Sequence, residues 1–377
     1  MTIDIIGAGI GGLTTAISLE QKGIKARVFE QTEQIKPVGA GIILANNAMQ
    51  VYEKLGLRRV IEENGNSISS INITKSNLKP LSKVDLTYFE QKYHTKNIAI
   101  HRGTLQQLLI DKLKSTDINL GHKLSSIDKV TNGYCLKFEN GKQIQSSTVL
   151  AADGLNSIVR QNILPNNAIR KANQICWRGI TQCELPLKFK NELNEAWGKT
   201  ERFGFVRIAE NKVYWYALKS FKKSKNEFAS NDLAQYFGDY HTVIKDIINS
   251  TEKTRIHTAE ISDLKPTNNW FKENVCLIGD AAHATTPNMG QGACQAIEDA
   301  YVLSECLYKY GINKSFSEYQ KLRLPKAHQV VNTSWLIGKI AHLKNPILIG
   351  LRNQMLRLSP SSFNRKQNEQ IFQLAEI

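Results

Sequence analysis

The N-terminal stretch constrains the fold of this 377-residue chain more than any other part of it. An apolar strand, Ile3 to Ile6, leads into the sequence GAGIGG, and a helical pattern follows to about Lys22. Gly7, Gly9 and Gly12 match the GxGxxG pattern. In that pattern the first glycine permits a tight turn, the second lets a pyrophosphate approach the backbone, and the third lets helix and strand pack closely. The segment predicts a dinucleotide-binding βαβ unit, and the alternative is an ordinary βαβ turn.

A carboxylate at the end of the next strand supports the dinucleotide interpretation. Ala26 to Phe29 form that strand, and Glu30 follows it, about 20 residues after the glycines. A carboxylate at this position accepts hydrogen bonds from ribose hydroxyls and repels a 2′-phosphate. Glu30 therefore favours an adenosine whose ribose carries no phosphate.

A second strand, turn and helix occur far along the chain. An apolar run ends at Gly279, a loop follows, and glycines open a helix that carries small residues. Helix N-termini present unpaired N–H groups and partial positive charge, so this one is expected to face an electron-rich or anionic group. The alternative is a tightly packed strand-to-helix turn. The residues expected to line the turn are Asp280, Pro287, Gly290, Gln291, Gly292 and Ala293.

A third motif has the spacing DGxxSxxR and begins at Asp153. Asp153 and Gly154 stand where a predicted strand, Ser147 to Ala151, turns into a helix, so Asp153 can simply cap that helix. The spacing to Ser157 and Arg160 is not explained by capping alone. We therefore treat Asp153 as a candidate site residue.

In this order, the three motifs resemble those of the single-component (class A) FAD-dependent monooxygenases, which include aromatic-ring hydroxylases and zeaxanthin-epoxidase-like and tetracycline-oxidising enzymes. The matching parts are GAGIGG with Glu30, the Asp153 segment, and GDAAH followed by Pro287 and GQG. The resemblance implies an α/β fold, in which a Rossmann-like FAD-binding domain is interleaved with a mainly antiparallel β-sheet substrate domain and followed by C-terminal helices. It also implies tightly but non-covalently bound FAD, with NAD(P)H as a transient co-substrate.

The reaction that the resemblance implies is insertion of one oxygen atom from O2. A flavin C4a-hydroperoxide would hydroxylate or epoxidise a small aromatic, polycyclic or isoprenoid substrate in a pocket that excludes water. One alternative is a dehydrogenase or reductase of the same fold without oxygen insertion. Another is a nucleotide-binding protein without catalysis. A second GxGxxG and a CxxxxC redox pair are both absent from the sequence, which argues against a disulfide reductase.

The resemblance also assigns roles within the motifs. It places Asp280 at the ribityl and pyrophosphate groups of FAD, and Pro287 with the turn at 290–293 beside the flavin ring. The Asp153 segment is associated with both FAD and the nicotinamide cofactor. His283 is expected to be a structural residue of its turn.

Three further residues are candidates for cofactor binding. Gly41 belongs to a glycine-containing approach to the cofactor. Arg102 stands at the entry of a predicted helix, Leu105 to Lys114. It is either a helix cap at the surface or a fixed cation that reaches a phosphate or a ring carbonyl. Leu124 completes the cofactor-binding set.

The substrate site is expected on the antiparallel sheet. In the strand from Val213 to Leu218, Tyr214 and Tyr216 share one face, which we expect to look at the flavin and to orient a phenolic or carbonyl substrate. Arg178 and Arg207 are candidates for holding an acidic substrate. The alternative is that these aromatics fill a domain core.

The domains are predicted to interleave along the chain. The FAD-binding domain is expected at 1–75, 98–172 and 271–340, the substrate-binding domain at 76–97 and 173–270, and a C-terminal helical segment at 341–377.

Composition restricts the partners and the location. The net charge is +15, but Lys and Arg are spread along the chain without an arginine-rich arm or a zinc-finger spacing, which argues against specific nucleic-acid binding. Six cysteines without CxxC spacing, and no recognisable signal peptide, lead us to expect reduced thiols in a cytoplasmic protein. No apolar run is long enough for a transmembrane helix. We expect a monomer or homodimer.

The basic tail has two interpretations. From 301 to 377 there are 11 Lys and Arg against 4 Asp and Glu, and the apolar run Pro346 to Leu351 lies next to Arg352 and Arg357. Such a helix usually packs on its own protein, which is the interpretation we favour. The alternative is weak peripheral contact with an anionic membrane surface or with a partner.

Overall fold

The computed structural model describes residues 2–35, 40–164, 168–221, 228 and 232–377. The strands are β1 (Thr2–Ile6), β2 (Lys25–Phe29), β3 (Gly41–Leu44), β4 (Asn66–Ile68), β5 (Ser70–Lys75), β6 (Pro80–Asp85), β7 (Asn97–His101), β8 (Asp117–Asn119), β9 (Leu124–Val130), β10 (Gly133–Phe138), β11 (Gln143–Ser146), β12 (Val149–Ala151), β13 (Ile169–Gln182), β14 (Glu192–Trp197), β15 (Glu201–Ala209), β16 (Lys212–Ser220), β17 (His257–Leu264), β18 (Phe271–Lys272) and β19 (Val275–Leu277). The helices are α1 (Ile10–Gln21), α2 (Asn46–Lys54), α3 (Arg58–Asn64), α4 (Thr87–Tyr93), α5 (Arg102–Lys112), α6 (Ile158–Ile163), α7 (Leu233–Tyr236), α8 (Thr242–Asn249), α9 (Asp280–His283), α10 (Gly292–Tyr310), α11 (Ile312–Ala341), α12 (Pro346–Leu358) and α13 (Ser361–Phe372).

A six-stranded sheet contains the three strands that precede the sequence motifs. Its order is β18-β19-β12-β1-β2-β8, and every neighbouring pair is parallel except β18 with β19. The carboxyl ends of parallel strands meet at one edge of a sheet, so the turns after β1, β12 and β19 lie together. The apolar run in β1 is buried, as expected for a central strand covered on both faces.

Small residues let the helices approach this sheet closely. A Cβ atom added to Gly11 in α1 would lie 3.1 Å from the Cβ of Ala296 in α10, and one added to Gly279 would lie 2.9 Å from the same atom. Protein interiors are close-packed, so larger side chains at these positions would separate the elements. The small residues of α10 therefore bring α1, α10 and the turn after β19 together.

A seven-stranded sheet forms the second large unit, with the order β17-β13-β16-β15-β14-β5-β6. Its neighbouring strands are antiparallel except β14 with β5. Tyr214 and Val206 belong to the core shared with the six-stranded sheet, whereas Trp215 and Trp177 belong to a separate core that includes residues of α7 and α8. The predicted alternation along β16 is thus confirmed, and the tyrosine face of this sheet looks toward the six-stranded sheet.

The seven-stranded sheet begins before the predicted start of the substrate-binding domain. Strand β5 pairs with β14 and β6 in the seven-stranded sheet, so this sheet begins at Ser70 and not after residue 75. The buried positions of β5 are Ser70, Asn72 and Thr74. These polar residues alternate with Ile71 and Ile73, but the polar set is the more buried one, which is the reverse of the pattern that marks a half-buried strand. Strand β13 likewise begins at Ile169, before the predicted boundary at 173.

The smaller elements complete the architecture. Two three-stranded antiparallel sheets have the orders β11-β10-β9 and β3-β7-β4. The predicted C-terminal helices are present as α11, α12 and α13. Within the described ranges, no helix has both the length and the apolar character needed to cross a membrane. All six cysteines are free thiols.

Candidate active site

The glycine turn after β1 is built as its three glycines require. Gly7 has a φ of +106°, and a Cβ there would lie 2.5 Å from the carbonyl oxygen of Ala152. A Cβ on Gly12 would lie 2.0 Å from the carbonyl oxygen of Gly7. A Cβ on Gly9 would have no protein atom within 4 Å. Two glycines are therefore needed by the fold, and the third leaves the backbone open to a ligand.

Glu30 is tied to this turn by backbone hydrogen bonds. Its carboxylate accepts from the N–H of Ala8 at 2.8 Å and from the N–H of Thr32 at 3.0 Å. Gln106 of α5 donates to the carbonyl oxygen of Ala8 at 2.8 Å. The carboxylate predicted to accept ribose hydroxyls thus also fixes the shape of the phosphate-binding turn.

Asp280 and Arg102 come close together although they stand far apart in sequence. Asp280 begins α9 directly after Gly279, whose φ is +56°, and Arg102 begins α5. The surrounding protein raises the pKa of Asp280, and the charges of His283 and Arg102 oppose that increase. The Asp280 side chain is nevertheless exposed, so a ligand can reach it.

Asp153 follows β12 and carries a carboxylate oxygen that lacks a partner. Its Oδ2 is 3.3 Å from the N–H of Val159, whereas its buried Oδ1 has no hydrogen bond within the described part of the chain. Burial raises the pKa of Asp153, and hydrogen bonds at the start of α6 oppose this increase. An orphaned buried oxygen calls for a donor, which a bound ligand would supply.

The other two polar residues of the DGxxSxxR motif have structural roles. Ser157 caps α6 by accepting from the N–H of Arg160 at 2.9 Å. The buried guanidinium of Arg160 donates to the carbonyl oxygen of Leu155 and, at 2.9 Å, to that of Ala281. Arg160 therefore joins the turn after β12 to the turn after β19.

The turn at 287–293 brings a helix N-terminus to the same region. Pro287 begins a short 3-10 helix, Gly290 has a φ of +63°, and α10 starts at Gly292. A Cβ on Gly290 would meet no protein atom within 4 Å. The side chain of Gln291 is buried and accepts hydrogen bonds from Asn47 and Gln295, so only its backbone faces outward with Gly292 and Ala293.

A buried charged network supports the turn after β19 from behind. Asp299 accepts from the N–H of Gly279 at 2.9 Å, contacts His283 Nε2 at 2.5 Å and accepts from Arg323 Nε at 2.8 Å. Arg323 Nη1 donates to Glu298 at 2.6 Å. His283 thus occupies a structural position, as the family resemblance implies.

The charges in this network depend on one another. Burial alone would raise the pKa of Asp299, but the side chains of His283 and Arg323 hold it well below its ordinary value. Burial lowers the pKa of Lys326 to about 8, although its ion pair with Glu298 opposes that decrease. Removing one member of a buried ion pair leaves an uncompensated charge, so the network resists rearrangement.

A second polar cluster lies between the seven-stranded sheet and the turn at 287–293. Tyr216 donates its hydroxyl hydrogen to Glu195, and Arg202 Nη1 donates to the same carboxylate at 3.0 Å. Arg202 Nη2 donates to Asn288. Burial, and then the charge of Glu195, raise the pKa of Tyr216 well above its ordinary value, so its hydroxyl stays protonated. The cluster connects the predicted substrate sheet to the predicted flavin turn.

Tyr214 has different surroundings from Tyr216. It is 8% exposed, and a Cβ added to Gly41 would lie 2.4 Å from its Cγ atom. Glycine at position 41 therefore leaves the space that the Tyr214 ring occupies. Burial raises the pKa of Tyr214. Of the two tyrosines, Tyr216 is the one placed in the polar cluster.

The remaining candidates are divided between the two faces and the core. Arg178 is the register partner of Tyr216 and lies on the cluster side of the sheet. Arg207 is paired with Val213, which belongs to the opposite core, and its guanidinium is bonded to Asn66, Asn191 and the Lys190 carbonyl. Leu124 is buried in the main core opposite Phe138. The structure thus brings Arg178, but not Arg207, to the candidate site.

Neither the network around Asp299 nor the cluster around Glu195 was predicted from the sequence. Glu298, Asp299 and Arg323 were visible only as charges within helical segments whose neighbours are largely apolar, and Glu195 and Arg202 as charges near strand ends. The partners lie 25 residues apart at Glu298 and Arg323 and 86 residues apart at Arg202 and Asn288, and no local pattern pairs them.

The geometry fits a bound dinucleotide. The open backbone at Gly9 and Gly290, the orphaned oxygen of Asp153 and the exposed carboxylate of Asp280 all lie on turns after strands of the six-stranded sheet or at the start of α10. These are the positions where nucleotide cofactors bind to open α/β sheets. No group of three or more His, Cys, Asp or Glu that could hold a metal occurs in the described ranges.

Comparison with known sequences gives matches along nearly the whole chain. The model of the FAD binding domain family matches residues 1–334. An aurachin C monooxygenase/isomerase of Stigmatella aurantiaca is 32% identical, over 96% of this chain and 95% of its own. A 2-heptyl-3-hydroxy-4(1H)-quinolone synthase of Pseudomonas aeruginosa is 28% identical, over 99% of this chain and 98% of its own.

Comparison with solved structures shows the same fold. HpxO of Klebsiella pneumoniae, in complex with FAD and uric acid, superposes with a TM-score of 0.89 at 23% identity, covering 99% of this chain and 96% of that one. The fold class, the FAD cofactor and the enzyme class predicted from sequence are thereby confirmed. Both the family model and the relatives lead to one conclusion: the chain belongs to the single-component FAD-dependent monooxygenases.

Proposed function

We propose that this monooxygenase hydroxylates a largely apolar N-heteroaromatic ring that carries both an N–H group and a carbonyl, as a 4-quinolone does. The single observation that carries the proposal is the cluster of Tyr216, Glu195 and Arg202 on the sheet face opposite the turn at 287–293. FAD, once bound and reduced by NAD(P)H, would supply the activation of O2.

The cofactor is held by the turns at the edge of the six-stranded sheet. The backbone at Gly9 and the N-terminus of α1 would hold the pyrophosphate, and Glu30 would accept the ribose hydroxyls. Asp280 would accept hydroxyl groups of the ribityl chain, while the charge of Arg102 offsets its negative charge. The orphaned Oδ1 of Asp153 accepts a further donor of the cofactor or of the nicotinamide co-substrate.

The start of α10 would stabilise the negative charge of a bound, reduced flavin. The first N–H groups of a helix have no intrahelical partner and carry partial positive charge. At Gly292 and Ala293 these groups lie beside the open turn at Gly290. Preorganised donors of this kind stabilise charge without reorganising during the reaction, and the network of Asp299 keeps them in place.

The substrate wall offers one acceptor and one donor. Because Tyr216 donates its hydrogen to Glu195, its phenolic oxygen remains an acceptor for a ring N–H. Arg202 Nε is a buried donor without an acceptor in the described part of the chain, so it can serve a ring carbonyl. As the ring N–H proton moves to Tyr216, which passes its own hydroxyl proton to Glu195, negative charge develops on the ring carbonyl oxygen. Donation from Arg202 stabilises this enolate-like form, in which the carbon next to the carbonyl is electron-rich.

The name of the Pseudomonas relative supports this proposal, because it denotes a 4(1H)-quinolone that carries a hydroxyl at the neighbouring 3-position. Its ring contains both the N–H and the carbonyl that Tyr216 and Arg202 would recognise. The apolar residues around the cluster, including Leu218 and Trp197, suit the hydrocarbon part of such a molecule.

The proposal is tested with the FAD-loaded protein and a substrate panel. NAD(P)H oxidation is measured with 4-quinolones, with their N-methyl derivatives, and with salicylate as a carbocyclic comparison. Products formed under ¹⁸O₂ are then weighed by mass spectrometry. We expect the 4-quinolone to stimulate NAD(P)H oxidation and to gain one labelled oxygen, and the N-methyl derivative to react at least tenfold more slowly.

Two results would contradict the proposal. Stoichiometric hydrogen peroxide with an unchanged substrate mass would show that the quinolone is not hydroxylated. Equal rates for the N–H and N-methyl compounds would show that Tyr216 does not recognise the ring nitrogen. Oxidation of the substrate without labelled oxygen would favour a dehydrogenase or reductase.

A further inference from the structure

Helix α12 presents an apolar stripe to the outside of the molecule. Five large apolar side chains along it are between 47% and 74% exposed, namely Ile347, Leu348, Leu351, Met355 and Leu358. At 3.6 residues per turn, these five positions fall within an arc of about 100° on one side of the helix. A stripe of that width normally faces a protein core. In α12 the stripe instead faces away from the core, and the side that carries the buried Arg352 faces inward.

The end of α11, which Arg352 of α12 contacts, carries two more exposed apolar side chains. Leu336 is 55% exposed and Ile340 is 37% exposed, and they lie one helical turn apart. Together with the five residues of α12 they form what we call the apolar face. Exposed apolar residues that occur singly need no explanation, but a contiguous set marks a surface that interacts with something.

The segments that carry the apolar face are rich in positive charge. Lys339 and Lys344 are exposed at the end of α11 and in the loop before α12, and Arg357 is exposed in the last turn of α12. Between Glu318 and Glu369 the chain carries nine Lys and Arg and no Asp or Glu. A surface that joins large apolar side chains to unopposed positive charge is complementary to a layer that is apolar inside and anionic at its surface.

The helix is fixed with this side outward. Asn345 caps it by accepting from the N–H of Ile347 at 2.8 Å, and Pro346 occupies its first turn. On the opposite side, the buried Arg352 donates to the carbonyl of Ala341 at 3.1 Å and lies over the ring of Trp197. Because Arg352 anchors the inner side, the apolar face cannot turn inward without breaking these contacts.

We propose that the apolar face docks on an anionic phospholipid surface, with its leucine, isoleucine and methionine side chains in the outer acyl region and Lys339, Lys344 and Arg357 at the headgroups. A second copy of this chain is the less suitable occupant, because it would bring the same positive charges into contact with these. The proposal reverses the interpretation of the tail that we favoured from sequence alone.

The test is a vesicle flotation assay with the full-length, FAD-loaded protein. Vesicles contain either equal parts of phosphatidylglycerol and phosphatidylcholine or phosphatidylcholine alone. We expect binding to the anionic vesicles to be at least tenfold stronger than binding to the neutral ones and to weaken as salt is added. The triple variant Ile347→Ser, Leu351→Ser, Met355→Ser should bind anionic vesicles at least tenfold more weakly. The variant Lys339→Gln, Lys344→Gln should lose about fivefold for each lysine.

Two matched controls keep the test specific. Leu187→Ser removes the most exposed large apolar side chain described, 84% exposed and outside α11 and α12, and Lys142→Gln removes an exposed lysine from a turn. Both should bind as the unmodified chain does, and all variants should retain FAD. Absence of vesicle binding, or equal binding by the triple variant, would overturn the proposal. A dimer in sedimentation that the triple variant abolishes would assign the face to a second copy and would equally overturn it.

Discussion

At the residue scale, the exposed carboxylate of Asp280 carries a testable role in retaining FAD. It stands after a strand of the parallel sheet, beside a cation that comes from another element. Replacement of Asp280 by Ala removes an acceptor for cofactor hydroxyls, so we expect FAD affinity to fall about tenfold, which corresponds to one lost hydrogen bond to a charged group. The ratio of flavin to protein absorbance and a fluorescence titration with FAD measure the change. Asp111→Ala, at an exposed position of α5, is the control, and unchanged flavin occupancy in Asp280→Ala would contradict the placement.

The two tyrosines of β16 give a second residue-scale prediction. Tyr216→Phe removes the hydroxyl that is bonded to Glu195, and we expect kcat/KM for the hydroxylated substrate to fall about tenfold to a hundredfold. Tyr214→Phe should change it less than threefold, because that ring packs under Gly41 instead of joining the cluster. Steady-state kinetics with product quantification measure both. Equal losses of kcat/KM in the two variants would show that the hydrogen bond of Tyr216 to Glu195 has no specific role in the reaction.

At the scale of elements, the turn after β1 contains one glycine that the fold requires, Gly12, and one that only a bound ligand would require, Gly9. Gly9→Ala places a methyl group where no protein atom lies within 4 Å, and the φ of Gly9, −69°, suits alanine. We expect this variant to keep its unfolding temperature in the absence of FAD and to bind FAD at least tenfold more weakly. Gly12→Ala forces a methyl group against the Gly7 carbonyl, so it should unfold at a lower temperature even without FAD. Circular dichroism melts with and without FAD distinguish the two, and a normal FAD affinity in Gly9→Ala would refute the assignment.

The network between α9, α10 and α11 predicts a pH-dependent loss of stability. Asp299→Asn removes the charge that pairs with Arg323 in a buried site, which should cost about 3 to 5 kcal/mol at pH 7. Because the folded pKa of Asp299 is depressed, its stabilising effect is complete above the unfolded value of about 4 and decreases as the pH falls below it. Urea unfolding of both proteins at pH 7, 5 and 3.5 tests this. The difference should be equal at pH 7 and 5 and smaller at pH 3.5, whereas a constant difference would show that the charge is not responsible. Asp111→Asn serves as the exposed control.

Some elements followed from local pattern, and others depended on distant partners. The strand-turn-helix units at Gly7 and Gly279 were predictable, because strained turns need glycine and glycine is visible in a sequence. Strand β5 was not, because its buried face is polar and its hydrogen-bond partners, including Glu192, lie in another strand far along the chain. The sequence records propensity at each position, but the pairing that satisfies a buried polar residue is a property of the folded chain.

At the scale of the whole molecule, the cofactor is expected to stabilise the chain as one unit. The segments at 7–30, 153–160 and 280–293 all end on one edge of the six-stranded sheet, and the seven-stranded sheet shares its core through Tyr214. A ligand that binds only the folded state adds about 2.7 kcal/mol at 100 times its Kd. Scanning calorimetry should therefore show one transition that moves upward as FAD is added, and riboflavin, which lacks the phosphates and the adenosine, should move it less. Two transitions, of which FAD moves only one, would contradict this coupling.

The part of the candidate site that was predictable from the sequence is the set of cofactor-binding candidates that belong to the three motifs. Asp153, Asp280 and the turn at 290–293 were found together because each directly follows a strand or opens a helix, and the topology of a parallel sheet then collects them. The substrate wall was predictable only as a strand face. Which residue on that face joins a polar cluster depends on Arg202, in the strand β15 that pairs with β16, and on Glu195, in the strand β14 beyond it. These strands come together only after folding. Position on a strand therefore predicted Tyr214 and Tyr216 equally, and the fold distinguishes them.

The contact of Gly41 with Tyr214 has a consequence for exchanging parts between related enzymes. Gly41 in strand β3 has no side chain, and the Tyr214 ring from β16 occupies the space beside it. A chimera that receives a substrate sheet with an aromatic residue at position 214 must retain glycine at position 41, whatever the new sheet is meant to bind. Conversely, a sheet with a small residue at 214 would leave a hole that a larger residue at 41 could fill. Compatibility between donor and recipient can thus be screened from these two positions before any chimera is made.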